Sequence, residues 1–73
     1  MHLDRSRPVY PQIAADLRRR LDAGEWKPDE RFPGTVELAA EYDVAQSTAQ
    51  RAVAALRREG RVRIVLGEGA FVV

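Results

Sequence analysis

Residues 38–60 read LAAEYDVAQSTAQRAVAALRREG. Apolar side chains run through Leu38, Ala39 and Tyr42, stop at Asp43, and resume as Ala49, Ala52, Val53 and Leu56, which share one stripe at helical spacing. The pattern predicts a short helix over 35–42, a tight turn at Asp43-Val44-Ala45, and a second helix over 46–59. Asp43 is placed to take the left-handed backbone conformation that glycine accepts more cheaply, and Val44 to plug the angle between the helices. Val36 joins Leu38, Ala39 and Tyr42 as an inward position, in a helix too short to persist unless packed. In the second helix Ser47, Arg51, Ala54 and Arg58 lie opposite the apolar stripe. Small residues at Ala49, Ala52 and Ala55 permit close helix approach, Gly60 ends the helix, and Arg57 and Arg58 suit the negative end of its dipole.

Downstream, residues 61–66 alternate, with Val62, Ile64 and Leu66 on one face and Arg61 and Arg63 on the other, so a half-buried strand is expected. Gly67-Glu68-Gly69 turns the chain, and residues 70–73 return as the partner strand. Upstream, Pro8-Val9-Tyr10-Pro11 opens a helix over 10–23, with Ile13, Ala14, Leu17 and Leu21 on one face and Gly24 as its stop. Arg18 and Arg19 point away from that face and Arg20 borders it, which reads as a solvated surface. Trp26 is expected to cover the core ahead of the turn Lys27-Pro28-Asp29-Glu30, and Arg31-Phe32 to form a very short strand before Pro33-Gly34. The fold class is mainly α with a small β-hairpin: a three-helix winged helix-turn-helix, as one domain over 1–73.

Composition narrows the function. Seventy-three residues support one small core. The chain has no cysteine and a single histidine, His2, so a disulfide framework and a thiolate metal site are excluded, and no cofactor or metal is expected. MHLDRSRP lacks the apolar stretch of a secretion signal, and the apolar runs are short, so a cytoplasmic protein with no membrane partner is expected. No paired or activated groups suggest an enzyme. The net charge of +1 conceals an asymmetry: residues 1–43 carry seven basic and nine acidic side chains, residues 44–73 five and two. The second half is the one suited to a polyanion.

A helix with this outward face fits the DNA major groove, where N-terminal side chains reach base edges while hydroxyls and amides hold phosphates. Gln46, Ser47, Thr48, Gln50 and Arg51 occupy that end. Gln pairs with adenine N6 and N7, Arg with guanine O6 and N7, and the hydroxyls of Ser47 and Thr48 suit phosphate oxygens. Each has an ordinary alternative: Ser47 and Gln50 also spell an S-x-x-Q capping box, and Gln46 and Gln50 can be plain solvent-exposed residues. Arg63 and the tip glycines Gly67 and Gly69 are placed to approach the adjoining minor groove, since glycine lets backbone come close to phosphate. Glu68 opposes deep insertion there.

The blocks PVYPQIAADLR from Pro8, GEWKPDERFP from Gly24, ELAAEYDV from Glu37, and EGRV followed by GEGAFV together resemble the N-terminal domain of GntR-family bacterial transcription regulators. The resemblance covers residues 8–73, with several separated blocks in order and at the right spacing. It implies a winged helix-turn-helix that binds double-stranded operator DNA, as a homodimer on a roughly palindromic site and often as a repressor. The departures fall at the DNA-contacting positions. Pro33-Gly34-Thr35-Val36 stands for the family's P-S-E-R, Asp43-Val44-Ala45-Gln46 for G-V-S-R, and Thr48-Ala49-Gln50 for T-V-R. Three arginines that the resemblance assigns to operator contact are thus Val36, Gln46 and Gln50, while Thr48 and the wing glycines survive. Thr35 is counted with the DNA-contacting residues. Fewer cations imply lower affinity and a flatter salt dependence, and glutamine for arginine moves base preference from guanine toward adenine. The family's effector-binding and dimerising domain has no counterpart before Val73, so a stand-alone regulator is expected, monomeric or paired through helix 1, the wing or the DNA itself. The alternative is a winged helix turned to protein contact, modulating another regulator. The lost arginines and near-neutral charge favour that alternative; Arg51, Arg57, Arg58, Arg61 and Arg63 oppose it.

Overall fold

Three helices and a hairpin follow in chain order: α1 (Tyr10–Asp22), α2 (Thr35–Tyr42), α3 (Gln46–Arg58), β1 (Val62–Val65) and β2 (Gly69–Val72). They come from a computed structural model that describes residues 2–73; Met1, inside the expected span of 1–73, lies outside the described residues. Pro11 sits in the first turn of α1, where its missing N–H costs no hydrogen bond. Ile13, Ala14, Leu17 and Leu21 form the buried face of that helix. They meet Leu38, Ala39 and Tyr42 of α2, the stripe Ala49, Ala52, Val53 and Leu56 of α3, and Phe32, Val62 and Val72 in one core. The α3 helix touches α1, α2 and β1, so it is the element around which the others are arranged. Asp43 ends α2 with φ 55° and ψ 56°, in the left-handed conformation expected of it. The Val44 N–H then donates to the Ala39 carbonyl at 2.9 Å.

The strands are antiparallel, with Val62 opposite Val72 and Val65 opposite Gly69. On the other edge of β2, Arg31 bridges Phe71. There Asp29 N–H donates to Val72 O, Val72 N–H to Glu30 O and Phe32 N–H to Ala70 O, at 2.8 to 2.9 Å. The wing is thereby fixed at its base by a one-residue third strand, and Phe32 is drawn into the core. Trp26 tilts over Phe32 with ring centroids 4.8 Å apart, half-buried as a cover.

Several expected inward positions lie outside. Val36 is 64% exposed and Leu66 98%. Val36 sits about 200° around the helix from Leu38, off the arc that Leu38, Ala39 and Tyr42 bury. Ile64 is also exposed, and of the alternating face only Val62 is buried, because the hairpin runs past the edge of the helical core. Arg61 and Leu66 fall outside β1, and β2 begins at Gly69 and ends at Val72. The first and third helices each stop one residue short of the expected end.

The α1 arginines are not merely solvated. Arg18 makes a two-pronged bond to Glu59 at 2.7 and 2.6 Å, tying α1 to the end of α3. Arg19 pairs with Asp16. Arg20 donates to Glu25 at 2.8 and 2.7 Å and to the Tyr42 hydroxyl at 2.9 Å. It also pairs with Glu41 at 2.8 Å and lies over the Trp26 ring. The Tyr42 hydroxyl donates to the buried Asp16 carboxylate at 2.6 Å. Burial first, then the bond to Asp16, pushes the Tyr42 hydroxyl up from 10.0 to about 12. The raised value means the fold favours the neutral phenol, so this contribution is whole below pH 10 and is lost as pH rises through about 12. Urea unfolding at stepped pH should show stability falling across that interval, and Tyr42→Phe should flatten the fall; an unchanged slope would exonerate Tyr42. At neutral pH, Leu17→Ala should cost about 2 to 5 kcal/mol, a large share of what so small a domain possesses.

Candidate nucleic-acid interface

The outward side of α3 is a ridge between two grooves. Thr35, Gln50, Val53, Ala54, Arg57 and Ile64 line the groove toward the wing and the start of α2. Tyr10, Arg51, Ala54 and Arg58 line the one toward α1, which continues past Thr48 to Pro8 and Val9. Ala54 lies on both sides and marks the crest, with Gln50 and Arg51 one turn before it and Arg57 and Arg58 one turn after. Gln46, Ser47, Gln50 and Arg51 are exposed and Thr48 is half-buried. Arg51 lies over the Tyr10 ring, 5.8 Å from its centroid, which steadies the guanidinium beside the start of α1.

The capping role open to Ser47 is not realised. Ala45 is the N-cap of α3, with φ −66° and ψ 150°, and no side chain caps the helix. Ser47 lies one position inside the first residue, too far along for a capping box with Gln50. The first amides of α3 therefore have no side-chain partner, and a helix N-terminus in that condition suits an anion.

Ion pairing redistributes the charge of the second half. Arg61 is bound to Asp22 at 2.6 Å. Arg63 is bound to Asp29 at 3.2 Å and stacks on Phe71. Arg51, Arg57 and Arg58 form no ion pair among the described residues. The unmatched positive charge of residues 44–73 thus collects along α3. Arg57 and Arg58 belong to this face as well as to the helix dipole, and their spacing of seven from Gln50 and Arg51 was the available signal. Because side chains alternate across a strand, Arg63 projects from the side of β1 opposite Ile64, away from the α3 groove. Thr35, Gln46, Ser47, Thr48, Gln50 and Arg51 belong to the α2 and α3 N-termini and their grooves, whereas Arg63, Gly67 and Gly69 belong to the wing. Both wing glycines have positive φ, 81° and 112°. A Cβ on Gly69 would come within 3.2 Å of the Arg31 guanidinium.

Elsewhere, His2, Leu3, Arg5, Asp16, Arg20, Glu41, Tyr42 and Asp43 line a cleft of mixed charge whose Asp16 and Arg20 are already partnered. Among the described residues no cluster of His, Asp and Glu is arranged to hold a metal ion, and no helix is long and apolar enough to cross a membrane.

The family model for bacterial regulatory proteins of the gntR family matches residues 9–72. The histidine utilization repressor of Klebsiella aerogenes is 31% identical over 65 residues, which are 89% of this chain and 27% of the repressor. The chain spans about a quarter of the length of that curated relative. A GntR family transcriptional regulator from Listeria monocytogenes superposes with a TM-score of 0.92 at 28% identity, over 97% of this chain and 62% of that one. AraR(DBD), solved in complex with operator ORX1, superposes with a TM-score of 0.83 at 28% identity, over 88% of this chain and 77% of that one. The three helices and antiparallel hairpin are the winged helix of these DNA-binding domains.

The uncapped start of α3 has a direct consequence for stability. Ser47→Ala should leave the melting free energy within about 0.5 kcal/mol of wild type, whereas Ala45→Ser, which places a hydroxyl at the cap, should add about 0.5 to 2 kcal/mol. Thermal melting followed by circular dichroism separates the two, and a large loss in Ser47→Ala would restore the capping role.

Proposed function

The chain belongs to the gntR family of bacterial regulatory proteins, and from that premise we propose that residues 1–73 act as the DNA-binding unit of a transcriptional regulator, with α3 in the major groove and the wing beside the minor groove. The observation that carries this is the ridge of α3. Its Arg51, Arg57 and Arg58 form no ion pair among the described residues while Arg61 and Arg63 are matched by carboxylates, so positive charge is held where a groove-reading helix needs it. The likeness to AraR(DBD), a domain solved with its operator, supports the same placement. In this arrangement Gln46 and Gln50 read adenine, Arg51 reads guanine, and Thr35, Ser47 and Thr48 hold phosphates with the first amides of α3. Gly67 and Gly69 bring the wing backbone close to the duplex, and Arg63 shares its charge with Asp29. A single module with few phosphate contacts binds near the non-specific range, a Kd of roughly 10⁻⁴ to 10⁻⁶ M, so two copies on a palindromic operator supply the working affinity. The histidine utilization repressor suggests repression as the direction of control, exercised in the cytoplasm where the operator lies. The exposed Val36 and Leu66 favour a second reading, a protein-contact module.

Backbone amide shifts of labelled protein titrated with random-sequence duplex distinguish the two. Changes at residues 46–51 and 67–69 that weaken with salt are expected, and silence at low salt would favour protein contact. On a selected site, Arg51→Ala and Gln50→Ala should each cost about 1 to 3 kcal/mol. Selection that returned only guanine-rich sites would overturn the adenine preference assigned to Gln46 and Gln50.

A further inference from the structure

We propose that Arg31 supplies the positive charge of the wing and binds a backbone phosphate of the duplex beside the wing tip, an inference that rests on the DNA-binding reading above. Arg31 precedes the hairpin by some thirty residues of sequence, yet its backbone bridges Phe71 and its side chain runs along the sheet to Gly69. Nη2, Cζ and Nε of its guanidinium lie 3.2, 3.7 and 3.7 Å from where a Cβ on Gly69 would stand. The planar head is thus laid across the glycine rather than touching it with one tip. Gly69 is suited to this twice over: its φ of 112° disfavours any side chain, and a Cβ would crowd the guanidinium.

Among the described residues the acidic groups of the neighbourhood leave Arg31 unmatched. Asp29 is taken by Arg63. A Glu30 carboxylate oxygen accepts from the Lys27 N–H at 3.1 Å. Glu68, beside Gly69 at the exposed tip, makes no ion pair among the described residues, with Arg31 or any other cation. Arg31 is exposed, so its donors are open to a ligand. A guanidinium restrained on a flat backbone surface loses less freedom on binding than a free-swinging one, and its fork matches the oxygens of a phosphate. Arg63 sits directly across from Phe71, stacks on it, and is neutralised, so the wing's uncompensated cation comes from outside the hairpin.

The test is the salt dependence of binding to a duplex, measured by fluorescence anisotropy from low to moderate salt. Each phosphate contact contributes about 0.9 to the slope of log K against log salt. Arg31→Ala should lower that slope by about one and weaken cognate and random duplexes by the same factor. Arg31→Lys should keep the slope. Arg31→Gln keeps the first methylenes of the side chain and a polar end without the charge, so it repeats the measurement should the alanine variant melt early. An unchanged slope in both Arg31→Ala and Arg31→Gln, with wild type binding normally, overturns the assignment. A loss confined to particular sequences overturns it too, in favour of a base contact. If wild type itself fails to bind duplex at low salt, the DNA-binding reading falls and this inference falls with it.

Discussion

Ala49 and Ala52 have no exposed surface at all. Because an alanine occupies so little space, α1 and α2 can both approach α3 closely, and the larger Ile13, Leu17, Leu38 and Leu56 fill the volume around the contact. Everything outward depends on that inward stripe. A helix of 13 residues is marginal alone, and packing of Ala49, Ala52, Val53 and Leu56 fixes its rotation as well as its existence. Once rotation is fixed, Gln50, Arg51, Ala54, Arg57 and Arg58 have nowhere to point but out. The exposed face of α3 is therefore a by-product of core packing.

Around this core the charged residues work as tethers. Arg18 to Glu59 and Arg61 to Asp22 join the two ends of the chain's helical layer, and the Asp16, Tyr42 and Arg20 group joins α1 to α2 through bonds that satisfy the buried carboxylate. The exposed pairs contribute little stability each. Their larger effect is on the field outside: carboxylates from the first half of the sequence cancel Arg61 and Arg63, and the net positive charge read from residues 44–73 contracts onto α3. Linear charge counts treat every arginine after residue 43 alike, and the fold does not.

The same distinction explains which features were legible beforehand. Helix positions, the left-handed Asp43 and the inward stripe of α3 follow from local periodicity and local backbone chemistry, which a sequence displays directly. Val36 looks inward by residue type although helical periodicity sets it off the buried arc, and Ile64 and Leu66 alternate with Val62 but lie past the edge of the core. Ser47 spells a capping box, but the helix starts at Gln46 as its periodicity predicts, with Ala45 at the cap, so Ser47 is already inside it. The partners of Arg18 and Arg61 lie 41 and 39 residues away, and the short strand expected at Arg31 finds its partner in Phe71, at the far end of the chain. What was missed is what depends on contacts distant in sequence.

These contacts also bear on the replaced arginines. In the proposed placement Gln46 and Gln50 put neutral amides at the end of α3 turned to base edges and Val36 puts an apolar side chain on α2, while Arg51 stays beside Tyr10 at that same end and Arg57 and Arg58 lie one turn beyond the crest. In that placement a reading end with Arg51 as its one cation, followed by Arg57 and Arg58 past the crest, sets the balance between two terms of DNA affinity. Phosphate attraction is insensitive to sequence and needs only cations near the backbone; discrimination needs paired donors and acceptors at base edges. Glutamine offers both a donor and an acceptor without a charge, so under the proposed function Gln46 and Gln50 serve the second term more than the first.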